Sequence, residues 1–278
     1  MKKLLAMLLA ATLCLTLLCA CGSSDPEEGT PPENDSKTTG SEAGKLIVGF
    51  DAEFPPFGFM AEDGSYDGFD LAMAKEVCDR LGWEYEESAI DWNSKDAELK
   101  AGTINCIWNG FTFNGREDQY TWSDPYVDNS IVVVVKADSG ITSLADLAGK
   151  TLMSQTGSSA TDAINKNTEF KDSLGKVIEL ADYNMGFMEL AQGSVDAIAA
   201  DLGVATYQMG ANEGNYVMLE EPIAKEQYAV GFLKGNTELR DAVNKTLKEM
   251  ADDGTMLEIA KKYVDKGLVL ESLCMIEG

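Results

Sequence analysis

The chain has 278 residues, carries 22 Lys and Arg against 47 Asp and Glu for a formal charge of −25, and contains no histidine. So acidic a chain argues against nucleic acid and anionic lipid surfaces as partners. Without histidine, Ser-His-Asp and Cys-His catalysis are excluded and a zinc site is disfavoured, so no catalytic residue, metal or cofactor is expected.

Lys2 and Lys3 precede an apolar run over 4–18 that is too short and too early for a membrane span, so 1–20 is expected to be a secretory signal peptide. It ends in Leu18-Cys19-Ala20-Cys21, which resembles a bacterial lipobox. Cys21 is the expected lipidation site, because the small Ala20 precedes it; an ordinary signal cut nearby is the alternative. Each acyl methylene buried in a bilayer contributes about 0.8 kcal/mol. The protein is then extracytoplasmic, held to the outer face of the cell membrane only through lipidated Cys21. Residues 21–44 are rich in Gly, Ser, Thr, Pro, Asp and Glu, lack hydrophobic periodicity, and are expected to form a disordered tether.

The body begins with a buried strand over 45–50, which runs into Asp51-Ala52-Glu53-Phe54-Pro55-Pro56-Phe57, where two prolines force a loop. Phe69, Met73, Val77 and Leu81 fall at i+4 steps and predict a helix over 69–81 stopped by Gly82. A strand over 85–88 and a short helix capped by Ser94 and ended by Gly102 precede a buried strand over 104–107. This alternation implies a parallel sheet covered by helices, with ligands beyond the carboxyl ends of its strands, where loops 51–57 and 108–116 lie. Cys78 on a helix face and Cys106 in a strand suit packing, although a disulfide between them is conceivable outside the cell.

Five β-branched residues over 131–135 predict a central strand. The pattern then restarts: a short helix over 143–149, a strand over 151–154, a helix opening at 156–162, strands over 177–180 and 195–199, and helices between them. A strand over 227–233 and helices over 237–252 and 255–266 close the chain. The expected division is one lobe over 45–135 and 228–278 and a second over 136–227, with crossings near 135–136 and 227–228.

Within this frame a few polar groups suit a small zwitterion. The fork of Arg116 matches a carboxylate, although a surface ion pair with Glu117 or Asp118 is the blander reading. Gly157-Ser158-Ser159 opens a helix, where free N–H groups favour an anion. Asp201, at a strand end, suits an ammonium group or else caps the following helix. Phe54, Phe57, Trp92 and Trp108 offer apolar walls or core.

The stretches Val48-Gly49-Phe50-Asp51, Gly68-Phe69-Asp70-Leu71, Ser123-Asp124-Pro125-Tyr126, Leu144-Ala145-Asp146-Leu147-Ala148-Gly149-Lys150 and Gly193-Ser194-Val195-Asp196-Ala197 occur in an order that resembles the solute-binding proteins of polar amino-acid ABC transporters, family 3. The resemblance implies an α/β, two-lobe, periplasmic-binding-protein-like fold of type II with a two-strand hinge. It implies a monomer that closes on an extracellular L-amino acid, polar or cationic, and delivers it to ABC permease subunits. By position it assigns Phe54 as the ring over the ligand, Asp51 as an acid near the ligand side chain and Trp92 as a wall. Asn109, Gly110 and Thr112 match residues that bind the α-groups, Arg116 the carboxylate clamp, Gln155, Ser158 and Ser159 the facing lobe, and Asp201 the ammonium partner. One departure concerns Arg116: the usual Thr-x-Thr-Pro-Glu-Arg is one residue shorter here, Thr112-Phe113-Asn114-Gly115-Arg116. Rival readings are a dehydratase-like enzyme on this scaffold with Glu53 as its acid, and an amino-acid sensor.

Overall fold

A computed structural model describes residues 44–276. The expected signal segment, Cys21 and nearly all of the tether lie outside the described residues.

Strand β1 (Lys45–Phe50) has Leu46, Val48 and Phe50 fully buried, as a strand enclosed by neighbours requires. The proline loop is more ordered than its sequence suggests. β2 (Glu53–Phe54), β3 (Gly58–Met60) and β4 (Tyr66–Asp67) form a small antiparallel sheet, with Pro55 and Pro56 in the turn, where a missing N–H costs no ladder bond. Helix α1 (Phe69–Leu81) buries Phe69, Leu71, Met73, Ala74, Val77 and Cys78, and Gly82 ends it with its N–H on the Cys78 carbonyl. After β5 (Glu84–Ala89), Asp91 rather than Ser94 caps the next turn, accepting the Asn93 N–H at 2.9 Å, and α2 (Lys95–Ala101) follows. Then come β6 (Cys106–Ile107), half the expected strand, and β7 (Thr121–Trp122).

The chain continues as β8 (Val127–Lys136), β9 (Thr151–Gln155), α3 (Ser159–Lys166), α4 (Thr168–Ser173), β10 (Lys176–Leu180), α5 (Tyr183–Gln192), β11 (Ala197–Asp201), α6 (Leu202–Ala211) and β12 (Tyr216–Met218). It ends with β13 (Ala224–Tyr228), β14 (Gly231–Phe232), α7 (Thr237–Asp252) and α8 (Thr255–Lys261), and α7 and α8 pack on α1.

Two mixed sheets result, an α/β two-lobe periplasmic-binding-protein fold. The first has the order β5-β1-β6-β14-β7, parallel across β5-β1-β6 and antiparallel at β14. The second has the order β10-β9-β11-β8-β12, and β13 pairs with the first half of β8.

Two details differ from expectation. The valine-rich strand belongs wholly to the second sheet, where Ile131–Val135 pair with β11, so the chain leaves the first sheet at 123–126 and not near 135–136. The single strand expected over 227–233 is two strands in different sheets: β13 pairs with β8, whereas β14 pairs with β6 and β7. The return crossing is therefore Ala229-Val230. Cys78 and Cys106 are free and buried, and burial pushes the Cys78 thiol up to about 12.

Candidate functional site

The loop after β6 begins the site. Gly110 has φ +54, and a methyl there would lie 2.7 Å from Phe54 Cε1, so both backbone and space require glycine. Its N–H donates to Asp70 Oδ2 at 2.6 Å, fixing the loop to the first turn of α1. Burial pushes the Asp70 carboxyl up to about 7. Asn109 Oδ1 accepts the Asp51 N–H at 3.0 Å and so joins this loop to the one after β1.

The shortened turn aims Arg116 inward. Asn114 Oδ1 accepts the Gln227 N–H at 2.6 Å, and Glu117 accepts the Gly115 N–H at 2.9 Å. Glu117 is thereby occupied, and the ion pair expected with Glu117 or Asp118 does not form. Arg116 is 9% exposed, and its guanidinium lies 5.5 Å from the Phe111 ring centroid and donates through Nη2 to Asp162 Oδ2 at 2.8 Å.

The second sheet supplies the facing groups. Ser158 caps α3, its Oγ accepting the Thr161 N–H at 3.2 Å. Asp201 ends β11 at the cap position of α6, but its side chain makes no cap bond. Instead Oδ1 accepts from Tyr228 Oη at 2.6 Å and Asn129 Nδ2 at 2.8 Å, which removes the capping alternative. Burial, then the Glu226 carboxylate, pushes Asp201 up to about 7. Asp51 is raised to about 6, chiefly by burial, and its Oδ2 accepts Gln155 Nε2 at 2.6 Å across the two sheets.

Phe54, Trp92, Asn109, Gly110, Thr112, Arg116, Gln155, Ser158, Ser159 and Asp201 line one narrow, tightly closed cavity. Every expected position is brought together there except Asp51, whose Oδ2 accepts from the lining residue Gln155. Phe57 and Trp108, considered as walls, are core: Phe57 packs edge-on against Tyr228 and Trp108 against Tyr126. Glu53 is half-buried and bonded by Asn184 Nδ2.

Several supporting residues were not anticipated. Asn129, Tyr183, Tyr228 and Glu226 surround Asp201. Lys95 is buried, donates to the Trp92 and Gly157 carbonyls at 3.2 and 3.1 Å, and is lowered to about 8, chiefly by burial. Glu226 had one legible signal: it shares the inward register of β13 with Tyr228, an unusual place for a carboxylate.

Residues 46–266 match the family described as bacterial extracellular solute-binding proteins, family 3. The arginine-binding extracellular protein ArtP of Bacillus subtilis is 33% identical over 270 residues, covering 95% of this chain and 98% of its own. The L-cystine-binding protein TcyA of the same organism is 30% identical, covering 94% and 97%. A crystal structure of an ABC uptake transporter substrate-binding protein from Streptococcus pneumoniae with bound histidine superposes with a TM-score of 0.77 at 32% identity, over 81% of this chain and 94% of that one. The chain belongs to family 3 of the bacterial extracellular solute-binding proteins, which bind solutes and are not enzymes.

Proposed function

We propose that this protein captures an extracellular L-amino acid with a cationic side chain and presents it to the membrane subunits of an ABC importer. The observation that carries this reading is the meeting of the Arg116 guanidinium and the buried Asp201 carboxylate in one cavity drawn from the ends of both sheets. An α-carboxylate and an α-ammonium leave water only for charged partners with good hydrogen bonds. Phe54 and Trp92 cover the apolar part of the ligand. Asp51, which meets the cavity only through Gln155, places negative charge at its edge together with Glu53 and Asp182, where the ligand's far end would lie. The ligands named for the relatives, arginine, cystine and histidine, support a polar or cationic class. The lobes are 44–122 with 231–276, and 127–228; they close when ligand satisfies both, because only the closed state gains both sets of bonds. Cys21 carries the lipid that keeps the protein at the membrane surface.

A thermal-shift screen of the twenty amino acids, cystine and ornithine tests the ligand class, since ligand raises the melt by mass action. L-Arginine, L-lysine and L-ornithine are expected to give the largest shifts; a response confined to acidic amino acids refutes the cationic reading. Arg116→Ala should weaken binding of the best ligand about 100-fold, the scale of a lost charge-assisted bidentate contact. Calorimetry showing unchanged affinity would remove Arg116 from the site.

A further inference from the structure

Glu226 does not line the ligand cavity, yet it holds two groups that do. Its Oε1 accepts from Thr112 Oγ1 at 2.6 Å, Ser159 Oγ at 3.0 Å and Asn129 Nδ2 at 2.9 Å. Thr112 belongs to the loop after β6 and Ser159 opens α3, so one buried carboxylate joins the two sides of the cleft.

A hydroxyl has a single proton. When Thr112 and Ser159 give theirs to Glu226, each turns only lone pairs toward anything else it touches. Beside them stands Asp201, whose Oδ1 accepts from the same Asn129 Nδ2 at 2.8 Å. Tyr183 and Tyr228 are the other titratable groups against Asp201, and both point their hydroxyls at it. This side of the cavity is thus furnished with acceptors, even though its Ser-rich helix start suggests an anion site.

We propose that Glu226 is the positioning residue for the ligand's ammonium group. It orients the Thr112 and Ser159 hydroxyls as acceptors, so the site takes an amino acid and rejects the same molecule lacking its amino group. The proposal rests on the amino-acid reading above. Glu226 acts through the two hydroxyls, in addition to the negative charge it places beside Asp201.

Calorimetry with L-arginine and with 5-guanidinopentanoate, which is arginine without its α-amino group, tests this. In Glu226→Met the preference for L-arginine over the analogue should fall about tenfold or more, because freed hydroxyls also serve as donors. Glu226→Gln retains a carbonyl acceptor and should recover part of that preference. An unchanged preference in Glu226→Met overturns the proposal. A neutron structure of the ligand-free wild type decides the point even if Glu226→Met does not fold: Thr112 and Ser159 deuterons directed at Glu226 support it, and deuterons directed elsewhere overturn it. Should the wild type not bind L-arginine, the reading of function fails while the neutron result still decides the role of Glu226.

Discussion

Asp201 owes its raised pKa to burial and to the nearby Glu226 carboxylate, and that has a consequence for binding. Below about pH 7 the ligand-free site holds a neutral carboxyl, which must lose its proton to pair with an ammonium group. Affinity should therefore weaken as pH falls from 7.5 toward 5.5, by up to about tenfold per pH unit, and proton release should accompany binding. Calorimetry in two buffers of different ionisation enthalpy measures both; a flat affinity across that range removes Asp201 as the ammonium partner. Most of the residues around the cavity were legible because motifs carry them, as with Asp201 at a strand end and Ser158-Ser159 at a helix start. Asn129 and Glu226 were not, since a polar residue within a strand sequence does not reveal which face it takes until the strand is paired. The aim of Arg116 was equally hidden, because it depends on Asn114 reaching β13, more than a hundred residues away in sequence.

The junction between α1 and the loop after β6 is a single hydrogen bond from Gly110 to Asp70, and its acceptor is a fully buried acid. Burial raises the folded-state carboxyl from 3.8 to about 7, so the folded protein prefers it protonated. Ionisation favours the unfolded chain once pH exceeds 3.8, and stability drains as pH rises through about 7. Asp70→Asn keeps an acceptor for Gly110 but has no charge to ionise. Its stability relative to wild type should rise between pH 4.5 and 7.5, by at most about 1.4 kcal/mol per pH unit, in urea unfolding curves. A constant difference would show that Asp70 is ionised throughout. Elements with strong local periodicity, such as α1 and α7, were legible to the residue. β8 was legible as a buried strand but not as a member of the second sheet, because a run of valines is compatible with any central position. The break between β13 and β14 was hidden for a related reason: the apolar run continues unbroken while the hydrogen-bonding partners change.

The two crossings between the sheets lie side by side. Ser123 N–H donates to the Val230 carbonyl at 3.0 Å, Val230 N–H to Ser123 Oγ at 2.9 Å, and Tyr126 N–H to the Tyr228 carbonyl at 2.9 Å. We propose that these two adjacent crossing segments are the hinge about which the lobes rotate while keeping their own sheets intact. In topological terms residues 127–228 form a loop insertion whose two ends meet, built into a host that is continuous in space across them. Such a block is a natural unit for grafting. Excised, residues 127–228 should fold cooperatively as judged by circular dichroism on heating, and the block from a relative with another ligand should be accepted at the same two joints. On the proposed roles of Arg116 and Asp201, a chimera of that kind would carry the carboxylate clamp of one protein and the acidic ammonium partner of the other, so that the two contributions to ligand choice could be exchanged one at a time.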